Sequence, residues 1–133
     1  MVVDTSVLVA ILKNEPEAVA FIDRIESVAD SCISAGSLLE CGVVIGSRAG
    51  RAGLLAVQEL CNRLMLEIVP VNAVQSVTGA QAFLRFGRGS GHPAKLNFGD
   101  CFAYALAKER NRPLLFKGDD FIHTDIEPAL RTV

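Results

Sequence analysis

The chain has 133 residues, is 50% hydrophobic and carries a formal net charge of −2. That size suits one compact domain with a real core, and no apolar run approaches the roughly 18 uncharged residues that a membrane helix needs. The charge is uneven. Residues 1–40 hold seven acids against two bases, whereas residues 68–99 hold no acid but contain Arg85, Arg88, Lys95 and His92. A polyanion would be drawn to the second stretch and repelled by the first unless a cation is bound there.

Met1-Val2-Val3 reads as a short buried strand ended by Asp4. Thr5-Ser6 is expected to cap a helix whose apolar side includes Val7, Leu8, Ile11 and Leu12. Asn14 breaks that pattern, and Pro16 opens a second helix at its favoured first-turn position, with Val19, Ile22 and Ile25 apolar and an end near Ala29. Residues 31–34 form a short strand with cap or turn residues at its edge. A helix follows from Ala35 to about Ala49, in which Gly42 and Gly46 each cost about 1 kcal/mol of propensity against Ala, so close packing against a neighbour is their expected reason. A further amphipathic helix spans Leu54 to Leu66.

Residues 67–71 read as a strand stopped by Pro70, and Asn72 or Ala73 through Phe86 as a helix. Three glycines and a proline within residues 87–93 indicate a flexible loop. Helix resumes near Phe98 and runs to Arg110, Pro113 starts the strand Leu114 to Phe116, and residues 124–126 are expected to add a last edge strand. Strands alternating with helices imply a parallel sheet covered on both faces, with right-handed crossovers. There is no internal repeat and no linker.

Ligands of an open parallel sheet bind beyond the carboxyl ends of its strands. Asp4, Glu40, Asp100 and the pair Asp119–Asp120 all fall where strands end or near where helices begin. Carboxylates gathered at one place repel one another unless protons or a divalent cation neutralise them, so this pattern points to a metal site. Mg²⁺ prefers oxygen ligands, keeps several waters and usually takes one or two protein carboxylates. Asp4 and Asp100, both short and both at element boundaries, are the expected direct ligands. Glu40 and one acid of the Asp119–Asp120 pair would bind a second ion or orient water, and a metal-activated water would attack phosphorus. Thr5 or Ser6 would hold Asp4 or contact a phosphate, and Asn97 would cap the helix carrying Asp100. Arg85, Arg88 and Lys95 are candidates for gripping a nucleic-acid backbone. Tyr104 lines the pocket or fills a half-buried core position. His92, His123 and Lys117 have ordinary surface explanations.

Two elements stand out together: V-V-D-T-S at the start, and N-F-G-D-C-F-A-Y-A-L-A-K followed by P-L-L-F-K-G-D-D-F. With L-L-E at residues 38–40, they resemble the PIN-domain ribonucleases, specifically the VapC toxins of bacterial toxin–antitoxin pairs, over essentially the whole chain. The resemblance implies a single three-layer α/β/α sandwich with a central, mostly parallel sheet of four to five strands. It implies Mg²⁺- or Mn²⁺-dependent cleavage of RNA and homodimerisation, for which the apolar face Leu54 to Leu64 is a candidate. It also implies inhibition by a VapB-type antitoxin whose C-terminal segment covers the site. Asp4, Glu40 and Asp100 match the family's acids, and Asp120 matches the Asp preceding Phe in related toxins, with Asp119 as the alternative.

Other strand-end acid chemistries fit poorly. A phosphoreceiver needs an acidic pair after the first strand and an acceptor Asp near mid-chain, yet Thr5 follows Asp4 and no aspartate lies between Asp30 and Asp100. A haloacid-dehalogenase-type phosphatase needs D-x-D, and position 6 is Ser. A catalytically silent binding partner with this fold remains the alternative function. The four cysteines, Cys32, Cys41, Cys61 and Cys101, form no C-x-x-C pair and sit in apolar segments. Buried free thiols are therefore expected. No basic-then-apolar leader precedes Asp4, so a cytoplasmic location is expected.

Overall fold

The computed structural model describes residues 1–131. Four strands, β1 (Val2–Val3), β2 (Cys32–Ser34), β3 (Glu67–Val69) and β4 (Leu114–Leu115), form one sheet in the order β3-β2-β1-β4. Every pairing is parallel, with Val2 opposite both Cys32 and Leu114. The helices are α1 (Thr5–Leu12), α2 (Ala18–Glu26), α3 (Ala35–Arg63), α4 (Ala73–Phe86) and α5 (Asp100–Arg110).

Side-chain alternation along the strands divides the interior into two cores. Val3, Ile33 and Leu115 pack with Leu8, Phe21 and Ile45 on the face covered by α1, α2 and α3. Val2, Cys32 and Leu114 pack with Phe86, Tyr104 and Leu106 on the face covered by α4 and α5. Handedness explains the division. The chain steps from β1 to β2 to β3 in one direction and then returns past β1 to β4. Right-handed crossovers in opposite directions must lie on opposite faces. The reversal makes the carboxyl end of β1, beside β4, the switch point of the sheet.

Several local expectations change. The two helices expected at 35–49 and 54–66 are arms of α3, folded at Gly50, whose φ of 61° and ψ of −146° are open essentially to glycine alone. Leu54 of the second arm lies against Gly42 and Gly46 of the first, which is the close packing that their propensity cost suggested. Asp4, not Thr5 or Ser6, caps α1, because its side chain accepts the Ser6 N–H while its own backbone stays extended. In α2 the buried positions are Ala18, Phe21 and Ile25, and Val19 points outward.

No edge strand forms at residues 124–126. Phe121–His123 makes a 3₁₀ turn, and Pro128 instead bridges to Leu114 in parallel. The glycine-rich segment is a closed, hydrogen-bonded loop. Arg88 N–H donates to Leu96 O at 2.9 Å and Leu96 N–H to Phe86 O at 3.0 Å. Within it His92 Nδ1 accepts the Ala94 N–H at 3.1 Å and its ring stands edge-on to Phe86 at 4.8 Å, so this histidine organises the loop. All four cysteines are buried free thiols, with Cys41 pushed up to about 12 chiefly by burial. Among the described residues no helix is long and apolar enough to cross a membrane.

Candidate active site: an acidic pocket at the switch point

Asp4 stands at the end of the central strand, and the segment after β4 passes beside it. Its backbone N–H donates to Leu115 O at 2.9 Å, which continues the β1–β4 ladder by one residue. Asp4 is 4% exposed, and its two carboxylate oxygens differ. Oδ2 accepts the Ser6 N–H at 3.0 Å and the Ser6 hydroxyl at 2.6 Å. Oδ1 is buried with no hydrogen-bond partner. Asp4 thus performs the ordinary capping duty of a strand-end aspartate with one oxygen and keeps the other buried without a partner. Burial pushes its carboxyl above the usual range, against the Ser6 hydrogen bonds, and the charge of Glu40 adds to the rise.

Asp100 enters from α5. Its Oδ2 accepts the Asn97 N–H at 2.9 Å, and Asn97 Oδ1 accepts the Asp100 N–H at 2.9 Å, so the two residues cap each other's backbone across the helix entrance. Asn97 therefore does what its position three residues ahead suggested. The hydrogen bonds Cys101 N–H to Phe98 O and Phe102 N–H to Gly99 O extend the helical turn back to Phe98. The Asp100 carboxyl is pushed up to about 7, first by desolvation and then by the charges of Asp4, Asp120 and Glu40. Asp4, Asp120 and Glu40 are thus near enough for their charges to act on Asp100. Asp120 of the G-D-D-F pair, an exposed residue, is among the charges that raise Asp100.

Glu40 reaches the pocket from the second turn of α3, and its approach depends on a residue that the pattern of acids did not single out. A Cβ on Gly99 would overlap the Glu40 carboxylate. Gly99 is therefore the gap that lets an acid from one face of the sheet lie against the start of a helix from the other. Its only signal in the sequence is its place in N-F-G-D, immediately before Asp100.

The remaining candidates divide. Thr5 is buried and its hydroxyl donates to Ser37 O at 2.8 Å, joining α1 to α3 as part of the scaffold. Ser6 serves Asp4, and its Oγ also accepts the Lys117 N–H at 2.9 Å. Arg85 stacks over Phe86 with its guanidinium carbon 4.5 Å from the ring centroid and lies 4.0 Å from Asp125. Arg88 and Lys95 are exposed on the loop between α4 and α5. Tyr104 is buried and donates to Asp125 Oδ1 at 2.7 Å, which makes it a core anchor for the C-terminal segment. Lys117 pairs with Glu15 and Glu17.

Among the described residues, no group of three acid, imidazole or thiol side chains is drawn together tightly enough to enclose an ion by itself. The donor set nevertheless fits a hard cation. It offers an unpartnered buried carboxylate oxygen on Asp4, a second carboxylate on Asp100 with its elevated proton affinity, and two further acids that add negative charge. A small oxygen-seeking ion that retains several waters needs no closed protein cage.

An all-parallel α/β/α sandwich with Asp4 at the end of its central strand and Asp100 at a helix start belongs to the open-sheet class of α/β proteins, in which ligands bind beyond the carboxyl ends of the strands. The PIN-domain model matches residues 1–127. The chain is 45% identical over 130 residues to ribonuclease VapC28 of Mycobacterium tuberculosis, covering 98% of each. It is 44% identical over 126 residues to ribonuclease VapC30 of the same organism, covering 95% of each. Among solved structures, M. tuberculosis VapC20, a sarcin–ricin loop cleaving toxin, matches with a TM-score of 0.75 at 16% identity, over 94% of this chain and 95% of that one. VapBC2 from Rickettsia felis, bound to a DNA fragment from its promoter, gives 0.73 at 15% identity, over 96% and 94%. The chain belongs to the PIN-domain family and resembles its VapC members along nearly its whole length.

Proposed function

We propose that this protein is a metal-dependent endoribonuclease and the toxin of a toxin–antitoxin pair. The observation that carries the reading is the buried, unpartnered Oδ1 of Asp4 within an acidic pocket that also lifts the Asp100 carboxyl to about 7. Leaving such an oxygen without a partner costs about 1–3 kcal/mol, a cost that a bound cation removes. The relatives VapC28 and VapC30 are named ribonucleases, which supports RNA as the substrate class.

Asp4 and Asp100 are the residues that would hold Mg²⁺ or Mn²⁺. Such an ion, when bound, neutralises the carboxylates and supplies electrophilic activation for phosphodiester hydrolysis. Ser6 and Asn97 fix the directions of the two aspartates beforehand, so little reorganisation is needed when substrate arrives. Glu40 and Asp120 accept hydrogen bonds from water and orient it toward phosphorus. Arg88 and Lys95 draw the RNA backbone to this edge without reading its sequence.

Two apolar surfaces support partners. The groove between the arms of α3 has a volume of about 800 Å³, with Leu38, Leu39, Val43 and Leu54 on its walls and Arg51 at its rim. Leu39, which lines it, precedes Glu40 in the chain, and the groove suits an apolar antitoxin segment. The Leu54 to Leu64 face fits homodimerisation less well than the pattern suggested, because Val57, Cys61 and Leu64 are buried in the first core. Val74, Val77, Leu84 and Phe98 leave a broader apolar surface on and beside α4, with Leu84 80% and Phe98 76% exposed. Patches of this kind mark protein contacts, and this is the surface we assign to a second copy.

The test maps new 5′ ends in cellular RNA after induction of the wild type, Asp4→Asn and Asp100→Asn. It is paired with cleavage in vitro under chelation and after return of Mg²⁺ or Mn²⁺. Discrete cleavage by the wild type alone, lost on chelation and regained with metal, is the expected result. Identical profiles for all three proteins would leave only a binding role, and cleavage indifferent to chelation would exclude the metal.

A further inference from the structure

Lys117 follows β4 in the segment that carries Asp120, and it is tied to the fold twice. Its backbone N–H donates to Ser6 Oγ at 2.9 Å, and that hydroxyl donates to Asp4 Oδ2 at 2.6 Å. Its ammonium is hydrogen-bonded to Glu15 and lies 3.2 Å from Glu17 Oε2, an ion pair without hydrogen-bond alignment. Both glutamates belong to the turn between α1 and α2. Immediately after Lys117, Gly118 turns the backbone with φ of 100°. The segment therefore leaves the sheet, is gripped at one residue by backbone and side chain together, and then turns into exposed Asp119 and Asp120, the second of which acts on Asp100 through its charge.

We propose that Lys117 is a positioning residue, resting on the nuclease reading above. Its clamp on Glu15 and Glu17 sets where Asp120 stands, and the same residue, through Ser6, steadies Asp4. Its ammonium is occupied by two carboxylates, which argues against a direct grip on RNA. Isolated ion pairs at exposed sites contribute little to global stability, and the side chains of Lys117, Glu15 and Glu17 remain 36%, 29% and 43% exposed. The consequence belongs in the geometry of the pocket, where small displacements of a reacting group are costly.

The experiment uses the full-length protein with Lys117→Met, Lys117→Arg, the Glu15→Gln/Glu17→Gln pair, and the combination of Lys117→Met with that pair. Mn²⁺ binding is followed by paramagnetic resonance, and RNA cleavage is resolved into kcat and KM. Lys117→Met is expected to weaken Mn²⁺ binding about fivefold and to lower kcat about tenfold with KM within about twofold. Arg at 117 should restore both to within about twofold of wild type. The glutamine pair should reproduce the loss, and the combined variant should add nothing, because all remove one interaction. If Lys117→Met raises KM while the glutamine pair leaves Mn²⁺ binding and kcat intact, Lys117 is an RNA contact and the clamp is wrong. Wild-type behaviour in every variant overturns it equally. A wild type that binds Mn²⁺ but cleaves no RNA refutes the nuclease reading alone, and the Mn²⁺ titrations still decide the clamp. A wild type that binds no Mn²⁺ overturns both.

Discussion

Replacing Asp100 by Asn removes a carboxylate that the folded chain holds mostly out of water among three other acids, while keeping an oxygen able to accept the Asn97 N–H. The carboxyl ionises near 3.8 when unperturbed and near 7 in the folded protein. Between those values the folded state binds the proton more tightly than the unfolded state. Below 3.8 there is no penalty; stability then declines as pH rises, and above about 7 the penalty is complete. About three pH units at about 1.4 kcal/mol each set a ceiling of about 4 kcal/mol, and solvent screening on the open side of the site brings the expected effect to about 2 kcal/mol. In chelator, urea denaturation of the wild type should show a midpoint falling by about 1 M between pH 5 and pH 7.5. The Asn variant should show a shallower decline, the part due to Asp4, and should be the more stable protein at pH 7.5. Mg²⁺ or Mn²⁺ should restore the wild type at pH 7.5 and do much less for the variant. Parallel pH profiles for the two proteins would refute this account of the pocket, as would equal stabilisation of both by metal.

Three further outcomes follow from particular contacts. Gly99→Ala puts a methyl where the Glu40 carboxylate lies; it should lower RNA cleavage at least tenfold while costing only about 1–2 kcal/mol in urea unfolding. Gly50→Ala strains the fold between the arms of α3 and should destabilise by about 1–3 kcal/mol without touching the acids, as read by thermal unfolding. Leu84→Glu places a charge on the most exposed part of the α4 surface; sedimentation should report a dimer for the wild type and a monomer for the variant, and a dimeric variant would move the interface elsewhere.

Local pattern was enough for a good deal of this protein. Apolar runs and their spacing located the helices and strands because each element needs a buried side, and that requirement is written in neighbouring residues. Alternation of strand and helix implied the parallel sheet, and acids placed at element ends pointed to its carboxyl edge. The exchange of hydrogen bonds between Asn97 and Asp100 was legible for the same reason, since both partners lie within one helical turn. What sequence spacing could not supply were interactions between residues brought together only by the crossovers. Gly99 matters because Glu40 arrives from the other face of the sheet, 59 positions earlier in the chain. Lys117 is the exposed charge that its place suggested, but folding brings Glu15, Glu17 and Ser6 to it from across the chain. The bend at Gly50 and the hydrogen bond from Tyr104 to Asp125 likewise depend on partners that no periodicity specifies. Hydrophobic period and capping are near-neighbour properties of the chain. The asymmetry of the Asp4 carboxylate, one oxygen satisfied and one buried without a partner, is a property of the packed molecule, because desolvation acts only once the sheet and both helical layers have closed around it.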